Sequence, residues 1–197
     1  MTVETPARFS PLSDWQDDFD RLPAGVEVRE LPYLTQLTLR VAPGSAAAGA
    51  VESALGVTLP GPLRAELSGD IEVLWMGPDE WLLVVPDGRG AELAALLRSA
   101  IGDEFATVTD VSAQRTTLAL SGDLVRTVLA QGCAIDLDAR ATPVGSCLTT
   151  LVAQAPVTLV VCGEGASEVR LLVRASFASY LATWLIDACT EFRGDTG

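Results

Sequence analysis

The sequence predicts an α+β fold of two similar ferredoxin-like units, each of strand-helix-strand-strand-helix order, with mainly antiparallel sheets and helices on one face. Short segments with alternating apolar residues indicate strands, segments with helical spacing lie between them, and this order occurs twice. The 197 residues are 49% hydrophobic, which is enough for a packed core. We expect an N-terminal arm at 1–22, a first unit at 23–105 and a second unit at 106–197, packed together as one compact body.

The first 22 residues contain Pro6, Pro11 and a run of aspartates, which favours an arm that is extended or only partly helical. Its sizeable apolar residues are Phe9, Leu12, Trp15 and Phe19. Because these four side chains would otherwise stay in water, we expect the arm to dock on the body. A disordered tail is the alternative.

The first unit is predicted to begin with a hairpin of strands 26–31 and 34–41, the second of which alternates apolar and polar residues. Ser45 is expected to cap a helix over 46–55, and Gly56 to end it, because glycine tolerates the left-handed conformation. An irregular connection at 59–62 follows. The remaining elements are a strand at 71–76, a turn at 77–80, a strand at 81–85 and an amphipathic helix at 91–101.

The second unit repeats this order. Its predicted strands are 107–111, 115–120, 148–153, 157–162 and 169–173, and its first helix is 124–130. Ser176 is expected to cap the final helix. The core face of that helix is predicted from helical spacing to comprise Phe177, Tyr180, Leu181, Trp184, Leu185, Ala188, Cys189 and Phe192. In both halves a short helix leads through glycine into a small apolar loop, at 55–59 and 132–137, which indicates a duplication.

The ionisable residues exclude several classes of site. All thirteen basic residues are arginine, and the chain has neither lysine nor histidine. A P-loop lysine, a pyridoxal Schiff base, a Ser-His-Asp or Cys-His couple and imidazole metal ligands are therefore excluded. The net charge of −13 opposes binding to nucleic acid and to anionic membrane surfaces. We interpret it as a solubilising acidic surface, with a basic patch on a partner subunit as the alternative.

The cysteines are widely spaced and form no C-x-x-C pair: Cys133, Cys147, Cys162 and Cys189. Residues 1–10 lack the basic and apolar regions of a signal peptide, and no apolar run reaches the eighteen or so residues that span a bilayer. We therefore expect free, buried thiols, a cytoplasmic location and no membrane partner.

Two polar segments are candidate sites. Gly163-x-Gly165 lacks the third glycine of a dinucleotide loop and precedes a strand, so we interpret it as a hairpin turn. Residues 110–117 combine a carboxylate, an amide, a guanidinium and hydroxyls between two strands. We interpret this segment as structural, with Arg115 paired to Asp110 across a turn. A subunit contact is the first alternative and a ligand site the second.

The turn at 77–80 carries two further kinds of candidate, tryptophans and carboxylates. Trp75 and Trp81 flank the turn, and we predict core or interface packing, with a stacking surface for a pterin or flavin as the alternative. Asp79 and Glu80 could act as an acid-base pair only if one of them were buried enough to raise its pKa. We expect both to face water, as a Pro-Asp-Glu turn normally does.

A second carboxylate pair lies at Asp136 and Asp138, on the same side of an extended segment. Two oxygen ligands alone do not hold calcium or magnesium, so we expect no metal site at this loop.

Four segments carry a family resemblance. They are residues 74–84 (LWMGPDEWLLV), 110–116 (DVSAQRT), 132–137 (GCAIDL) and 171–181 (LLVRASFASYL). Together with Ser10-Pro11-Leu12 they extend over about residues 10–190, and the chain resembles the gamma subunit of heterotetrameric sarcosine oxidase.

The resemblance implies an assembly of alpha, beta, gamma and delta subunits that oxidatively demethylates sarcosine to glycine. Oxygen and tetrahydrofolate are consumed, and hydrogen peroxide and a folate-bound one-carbon unit are formed. In that family FAD, FMN, NAD and folate belong to the alpha and beta chains and zinc to delta, while gamma resembles the folate-binding domains of the glycine-cleavage T-protein. Whether the substrate is sarcosine or another N-methyl amine stays open.

The resemblance assigns no catalytic, cofactor-binding or metal-binding residue to this chain. Asp138 stands where relatives often carry histidine, which weakens any metal at that loop. We expect a non-catalytic structural subunit, inactive in isolation, whose main contact is with alpha. The alternative is a free-standing folate-binding one-carbon protein of the T-protein type.

Overall fold

A computed structural model describes residues 8–193 of the chain. Residues 1–7 of the predicted arm and 194–197 of the predicted second unit lie outside the described residues. The elements in chain order are α1 (Gln16–Phe19), β1 (Glu27–Leu31), β2 (Thr35–Val41), α2 (Ala46–Leu55), β3 (Ala65–Ser68), β4 (Ile71–Gly77), β5 (Glu80–Val85), α3 (Gly90–Ile101), β6 (Ala106–Asp110), β7 (Arg115–Ser121), α4 (Val125–Ala130), β8 (Cys147–Val152), β9 (Ala155–Val161), β10 (Glu168–Arg174) and α5 (Ala175–Ala188). Two short 3-10 helices lie at Glu164–Ala166 and Thr190–Phe192.

Two five-stranded antiparallel sheets form the body. The first has the spatial order β3-β4-β5-β2-β6, and the second has the order β8-β9-β10-β7-β1. The two sheets are built in the same way. In each, one helix follows the central strand (α3 after β5, α5 after β10), and another follows the strand next to the last in the order given (α2 after β2, α4 after β7). The predicted α+β class and the twofold repeat are confirmed. Strand β3, four residues long and mostly solvent-facing, was not predicted.

One of the two edge strands of each sheet comes from the other half of the chain. Strand β1 pairs with β7, and β6 pairs with β2. The predicted hairpin of 26–31 with 34–41 is therefore wrong, because both strands form but join different sheets. These two strands do not follow the proposed division at 105/106: β1 precedes it but joins the second sheet, and β6 follows it but joins the first. This exchange of strands connects the two halves.

Three apolar clusters hold the layers together. The first sheet buries Leu37 and Leu83 against α2 and α3, and the second buries Leu118 and Leu171 against α4 and α5. The third cluster lies between the sheets and takes side chains from both. Its buried members are Leu74, Leu82, Val84, Cys147, Val160 and Leu172. The sheets therefore pack face to face, each with helices only on its outer face, as the alternation of side chains along a strand requires.

The described part of the N-terminal arm docks on the second sheet's core. Leu12 is 2% exposed and Phe19 4%, and Trp15 packs against the same cluster. This confirms the docked arm for these three anchors. Phe9 is different: its side chain is 83% exposed.

The helix ends follow the sequence in the first half and depart from it in the second. Ser45 accepts a hydrogen bond from the Ala48 amide at 3.2 Å, and Gly56 ends α2 with φ +66°, as predicted. The final helix starts earlier than predicted: its N-cap is Arg174, so Ser176 lies inside the helix and does not cap it.

The core face of α5 agrees with the prediction in part, because Leu181, Leu185, Ala188 and Cys189 are buried. Phe177 and Tyr180, predicted to be buried, are 37% and 42% exposed. Alanines take their place because small side chains let the helix lie close to the sheet. The buried residues of the helix and its C-cap are Ala178, Leu181, Ala182, Leu185, Ala188 and Cys189.

Candidate functional site

The four cysteines are free, and three of them, Cys133, Cys147 and Cys189, are buried. Burial, with a smaller contribution from the charge of Glu72, raises the pKa of the Cys147 thiol to about 12. Burial also raises the pKa values of Cys162 and Cys189. Raised pKa values keep these three thiols neutral at physiological pH and make them poor nucleophiles. The prediction of free, buried thiols is confirmed for Cys133, Cys147 and Cys189, whereas Cys162 is only partly buried.

Trp75 and Trp81 are directly opposite each other on β4 and β5 and belong to the same core cluster. The Trp81 side chain is 4% exposed, and its indole N–H donates to the Pro60 carbonyl at 2.9 Å. Packing is therefore the role of this pair, as predicted. A flat heterocycle has no free indole face at Trp81 on which to stack.

The carboxylates at the β4–β5 turn belong to an exposed ion-pair group. Arg40 lies 3.2 Å from an oxygen of Asp79 and 3.7 Å from one of Glu80. The three side chains are 55%, 55% and 35% exposed, respectively. Such pairs contribute at most about 1 kcal/mol, and both carboxylates are in contact with water, as predicted.

Asp136 and Asp138 use their carboxylates within their own loop. Asp136 accepts from the Asp138 amide at 2.9 Å, and Asp138 accepts from Nε of Arg140 at 3.0 Å. The hydrogen bond from Arg140 is the main cause that lowers the pKa of Asp138. In the part of the chain that the structure describes, no three or more His, Cys, Asp or Glu side chains cluster as metal ligands would.

Gly163 and Gly165 lie in the connection between β9 and β10. The amides of Cys162 and Gly163 both donate to the Glu168 carbonyl, at 2.8 and 3.0 Å, and Gly165 has φ +60°. The hairpin-turn prediction is confirmed.

The polar segment 110–117 forms the turn between β6 and β7, but its predicted ion pair is wrong. Asp110 instead accepts from the amide and hydroxyl of Ser112, at 2.9 and 2.6 Å. A Cβ placed on Gly90 would lie 2.8 Å from the other Asp110 oxygen, so this carboxylate packs over the start of α3. Asp110 is thereby held away from Arg115.

Arg115 is half-buried and lacks an ion-pair partner within residues 8–193. No carboxylate oxygen lies within 4.0 Å of its guanidinium, and only the more distant Glu80 attracts it. Its partner directly across the strand pair is another arginine, Arg174. Burial first, and the charge of Arg174 second, lower the pKa of Arg115.

Arg115 lines a half-open cleft of about 320 Å³ that the sequence did not reveal. The cleft brings together the N-terminal segment, the loop before β2, the β6–β7 turn and the start of α5. Other lining residues are Phe9, Tyr33, Ser112, Ala113 and Ala175. These groups are far apart in sequence, and no local pattern connects them.

One wall of the cleft is fixed by Tyr33. This residue has φ +61°, its hydroxyl donates to the Arg8 carbonyl at 3.0 Å, and the Arg8 guanidinium lies 4.3 Å from its ring centroid. Arg8 also pairs with Asp87 at 2.8 Å. The charge of Arg8 is thus compensated, whereas that of Arg115 has no counter-charge within ion-pair distance among residues 8–193.

None of the helices within residues 8–193 combines the length and the hydropathy that a membrane span requires.

Comparison with known proteins relates the whole body to one family. The model of the sarcosine oxidase, gamma subunit family matches residues 40–191. Sarcosine oxidase subunit gamma of Corynebacterium sp. (strain P-1) is 42% identical over 173 residues, covering 86% of this chain and 83% of that protein. The protein of the same name from Arthrobacter sp. is 42% identical over 174 residues, covering 87% and 83%.

Solved structures agree. A chain of the heterotetrameric sarcosine oxidase from Corynebacterium sp. U-96, in complex with pyrrole 2-carboxylate, matches with a TM-score of 0.87 and 37% identity, covering 96% of this chain and 98% of that one. The glycine cleavage system aminomethyltransferase T from Bartonella henselae matches with a TM-score of 0.63 and 16% identity, covering 91% of this chain and 48% of that one, which shows a shared fold alone. The chain belongs to the sarcosine oxidase gamma subunit family.

Proposed function

We propose that this chain is a non-catalytic structural subunit of a heterotetrameric sarcosine oxidase. The observation that carries the proposal is the match to a chain of such an enzyme over 96% of this chain and 98% of the other, with a TM-score of 0.87. A shape conserved over nearly the full length of both chains supports an equivalent place in an equivalent assembly. The partners are the alpha, beta and delta subunits, and the main contact is with alpha.

In this proposal the complex oxidises sarcosine to glycine with oxygen and tetrahydrofolate, and releases hydrogen peroxide and a folate-bound one-carbon unit. FAD, FMN, NAD, tetrahydrofolate and zinc are held by the other subunits. The candidate residues of this chain do not fit such groups, because Trp81 is buried and hydrogen-bonded and the Asp136–Asp138 loop is internally satisfied. The sequence also lacks the imidazole and amine side chains that much of this chemistry uses.

A cytoplasmic location is part of the proposal. Its support is the set of four free cysteines, which is typical of a reducing compartment.

Co-expression tests the structural role. We expect a tagged alpha-beta-delta assembly made without this chain to be incomplete or unstable and to lose sarcosine oxidation. Adding the chain restores it, whereas the purified chain alone gives no hydrogen peroxide from sarcosine. A fully active alpha-beta-delta enzyme, together with a chain that stays monomeric when mixed with it, contradicts the proposal.

The alternative, a free-standing folate-binding protein, makes a separate prediction. Ligand stacking near Trp75 would quench tryptophan fluorescence. Titration with tetrahydrofolate to near-millimolar concentration distinguishes the two functions, because a dissociation constant in that range corresponds to a binding free energy of only about −4 kcal/mol. We expect no saturable quenching, and saturable quenching favours the alternative.

A further inference from the structure

The cleft beside Arg115 has a positive charge that the described chain does not neutralise. Asp110 is engaged by Ser112, Glu80 lies beyond ion-pair distance, and Arg174 adds a second cation directly across the strands. Like charges on directly opposed strand positions are destabilising. Arg115 and Arg174 therefore repel each other, although the chain as a whole has a net charge of −13.

The start of α5 strengthens this positive field. Ala175, the first residue of that 14-residue helix, lines the cleft; its amide donates to the Gln114 carbonyl at 3.1 Å, and the N-cap has no side-chain hydrogen bond. Helix N-termini carry partial positive charge, which adds to that of the guanidinium groups. The field at the cleft thus favours an anionic group.

The rim of the cleft is apolar and exposed. Phe9 lines the cleft with 83% of its side chain in water, although the neighbouring anchors Leu12 and Phe19 are buried. Exposed aromatic residues next to arginine are typical of protein interfaces, where both are enriched. A small free anion would use the guanidinium but would leave Phe9 in water.

We propose that this cleft docks an aspartate or glutamate side chain of another subunit, with Arg115 as its ion-pair partner and Phe9 covered by the same subunit. This assignment rests on the proposed function, since it requires an assembly. It also explains why Arg115 is free of Asp110. The bound carboxylate supplies the negative charge that Asp110, which is hydrogen-bonded to Ser112, does not provide.

Binding of variants to the tagged alpha-beta-delta assembly tests the assignment. We expect Arg115→Gln and Arg115→Glu to weaken assembly by at least about tenfold, because the partner carboxylate is left desolvated and unpaired. Phe9→Ala weakens it as well. Arg140→Glu is the matched control: it makes the same charge change at a side chain that is 94% exposed, and it leaves the affinity unchanged. Circular dichroism and thermal unfolding verify that each variant is folded.

The absence of lysine permits a second test that keeps the positive charge. Arg115→Lys introduces the only side-chain amine of the chain, which a carbodiimide joins to a carboxylate in direct contact. We expect mass spectrometry to find this amine linked to an aspartate or glutamate of a partner subunit, and to find no such link for Arg140→Lys. Linkage only within the chain, or none, overturns the assignment.

The outcomes separate the two proposals. If the wild-type chain does not bind the other subunits, the proposed function fails. If it binds, and Arg115→Gln and Arg115→Glu bind equally well, only the docking assignment fails. Saturable binding of free citrate to the isolated chain, abolished by Arg115→Gln while subunit affinity is unchanged, assigns the cleft to a small carboxylate and also overturns it.

Discussion

Arg170 of β10 donates a hydrogen bond to Glu72 of β4 across the interface between the two sheets, with an Nη1–Oε2 distance of 2.8 Å. The Glu72 side chain is 10% exposed and that of Arg170 36%. Without its partner, the Glu72 carboxylate or the Arg170 guanidinium would be an unpaired charge beside the buried leucines and valines of this layer. The pair therefore connects the two sheets at a point where the packing is otherwise apolar.

Removing one member of this pair is expected to destabilise the chain. Glu72→Leu should lower the free energy of unfolding by about 2 kcal/mol, less than the roughly 3–5 kcal/mol of a fully buried pair because Arg170 keeps contact with water. Glu72→Leu combined with Arg170→Met should recover most of the loss, because apolar replacement of both charges is often neutral. Urea unfolding measures both values.

The exposed pair of Arg21 with Asp18 is the control, with side chains 68% and 50% exposed. Arg21→Ala should change the free energy of unfolding by less than about 1 kcal/mol. A double variant as unstable as Glu72→Leu would contradict the explanation, because the loss would then come from packing and not from the unpaired charge.

Gly122, at the start of the β7–α4 connection, should not accept a side chain. It has φ +125°, and a Cβ there would lie 2.2 Å from the Gly25 carbonyl oxygen. That oxygen accepts from the Leu124 amide at 3.0 Å, so the backbone cannot move away without losing the bond. We expect Gly122→Ala to lower the free energy of unfolding by about 2–4 kcal/mol, measured by urea unfolding.

Gly49, an exposed residue inside α2, provides the opposite case. A Cβ there meets nothing within 4 Å, and its φ is not positive. Gly49→Ala should stabilise the chain by about 0.5–1 kcal/mol, because alanine favours the helix. Equal effects of the two substitutions would show that steric contact with Gly25 is not the cause.

Much of the fold was predictable because its signals are local. Ser45 and Gly56 mark the ends of α2, and the turn after Met76 joins β4 to β5 as expected. The core face of α5 was predicted only in part: Leu181, Leu185, Ala188 and Cys189 are buried as predicted, whereas the large apolar side chains of Phe177 and Tyr180 are exposed. In the structure alanines such as Ala178 and Ala182 contact the sheet, while Phe177 stays at the surface.

The rest was not predictable because it depends on partners far away in sequence. Strand β1 was located correctly, yet no residue in it indicates pairing with β7 and not with its neighbour β2. The same holds for the cleft: sequence proximity favoured an ion pair of Arg115 with Asp110, but the nearer Ser112 satisfies that carboxylate. Local hydrogen bonds took precedence over a longer contact.

The docked N-terminal segment should contribute to stability through its buried anchors only. Phe19 is 4% exposed within the second sheet's core cluster, whereas Phe9 is 83% exposed. We expect Phe19→Ala to lower the free energy of unfolding by about 3 kcal/mol, at the lower end for a buried phenylalanine because the segment is peripheral. Phe9→Ala should stay within about 0.5 kcal/mol of wild type.

Urea unfolding of the isolated chain checks both substitutions. A comparable loss for Phe9→Ala would mean that this side chain packs on its own chain. Its exposed aromatic surface would then no longer be free for a partner subunit.

Cys147, which is 1% exposed between the two sheets, should make stability depend on alkaline pH. The folded chain raises the pKa of its thiol from 9.0 to about 12. Above pH 9 the unfolded chain loses this proton and the folded chain keeps it, so stability falls as pH rises between about 9 and 12. At pH 10 the loss from this thiol is about 1.4 kcal/mol.

Cys147→Ala and Cys147→Val remove this titrating group and leave the other residues of the chain unchanged. Each variant should therefore lose about 1.4 kcal/mol less than wild type between pH 8 and pH 10 in urea unfolding. Valine fills the space that alanine leaves, so a pH dependence common to both variants separates titration from packing. Variants as pH-sensitive as wild type would show that the folded thiol ionises freely, in conflict with its burial.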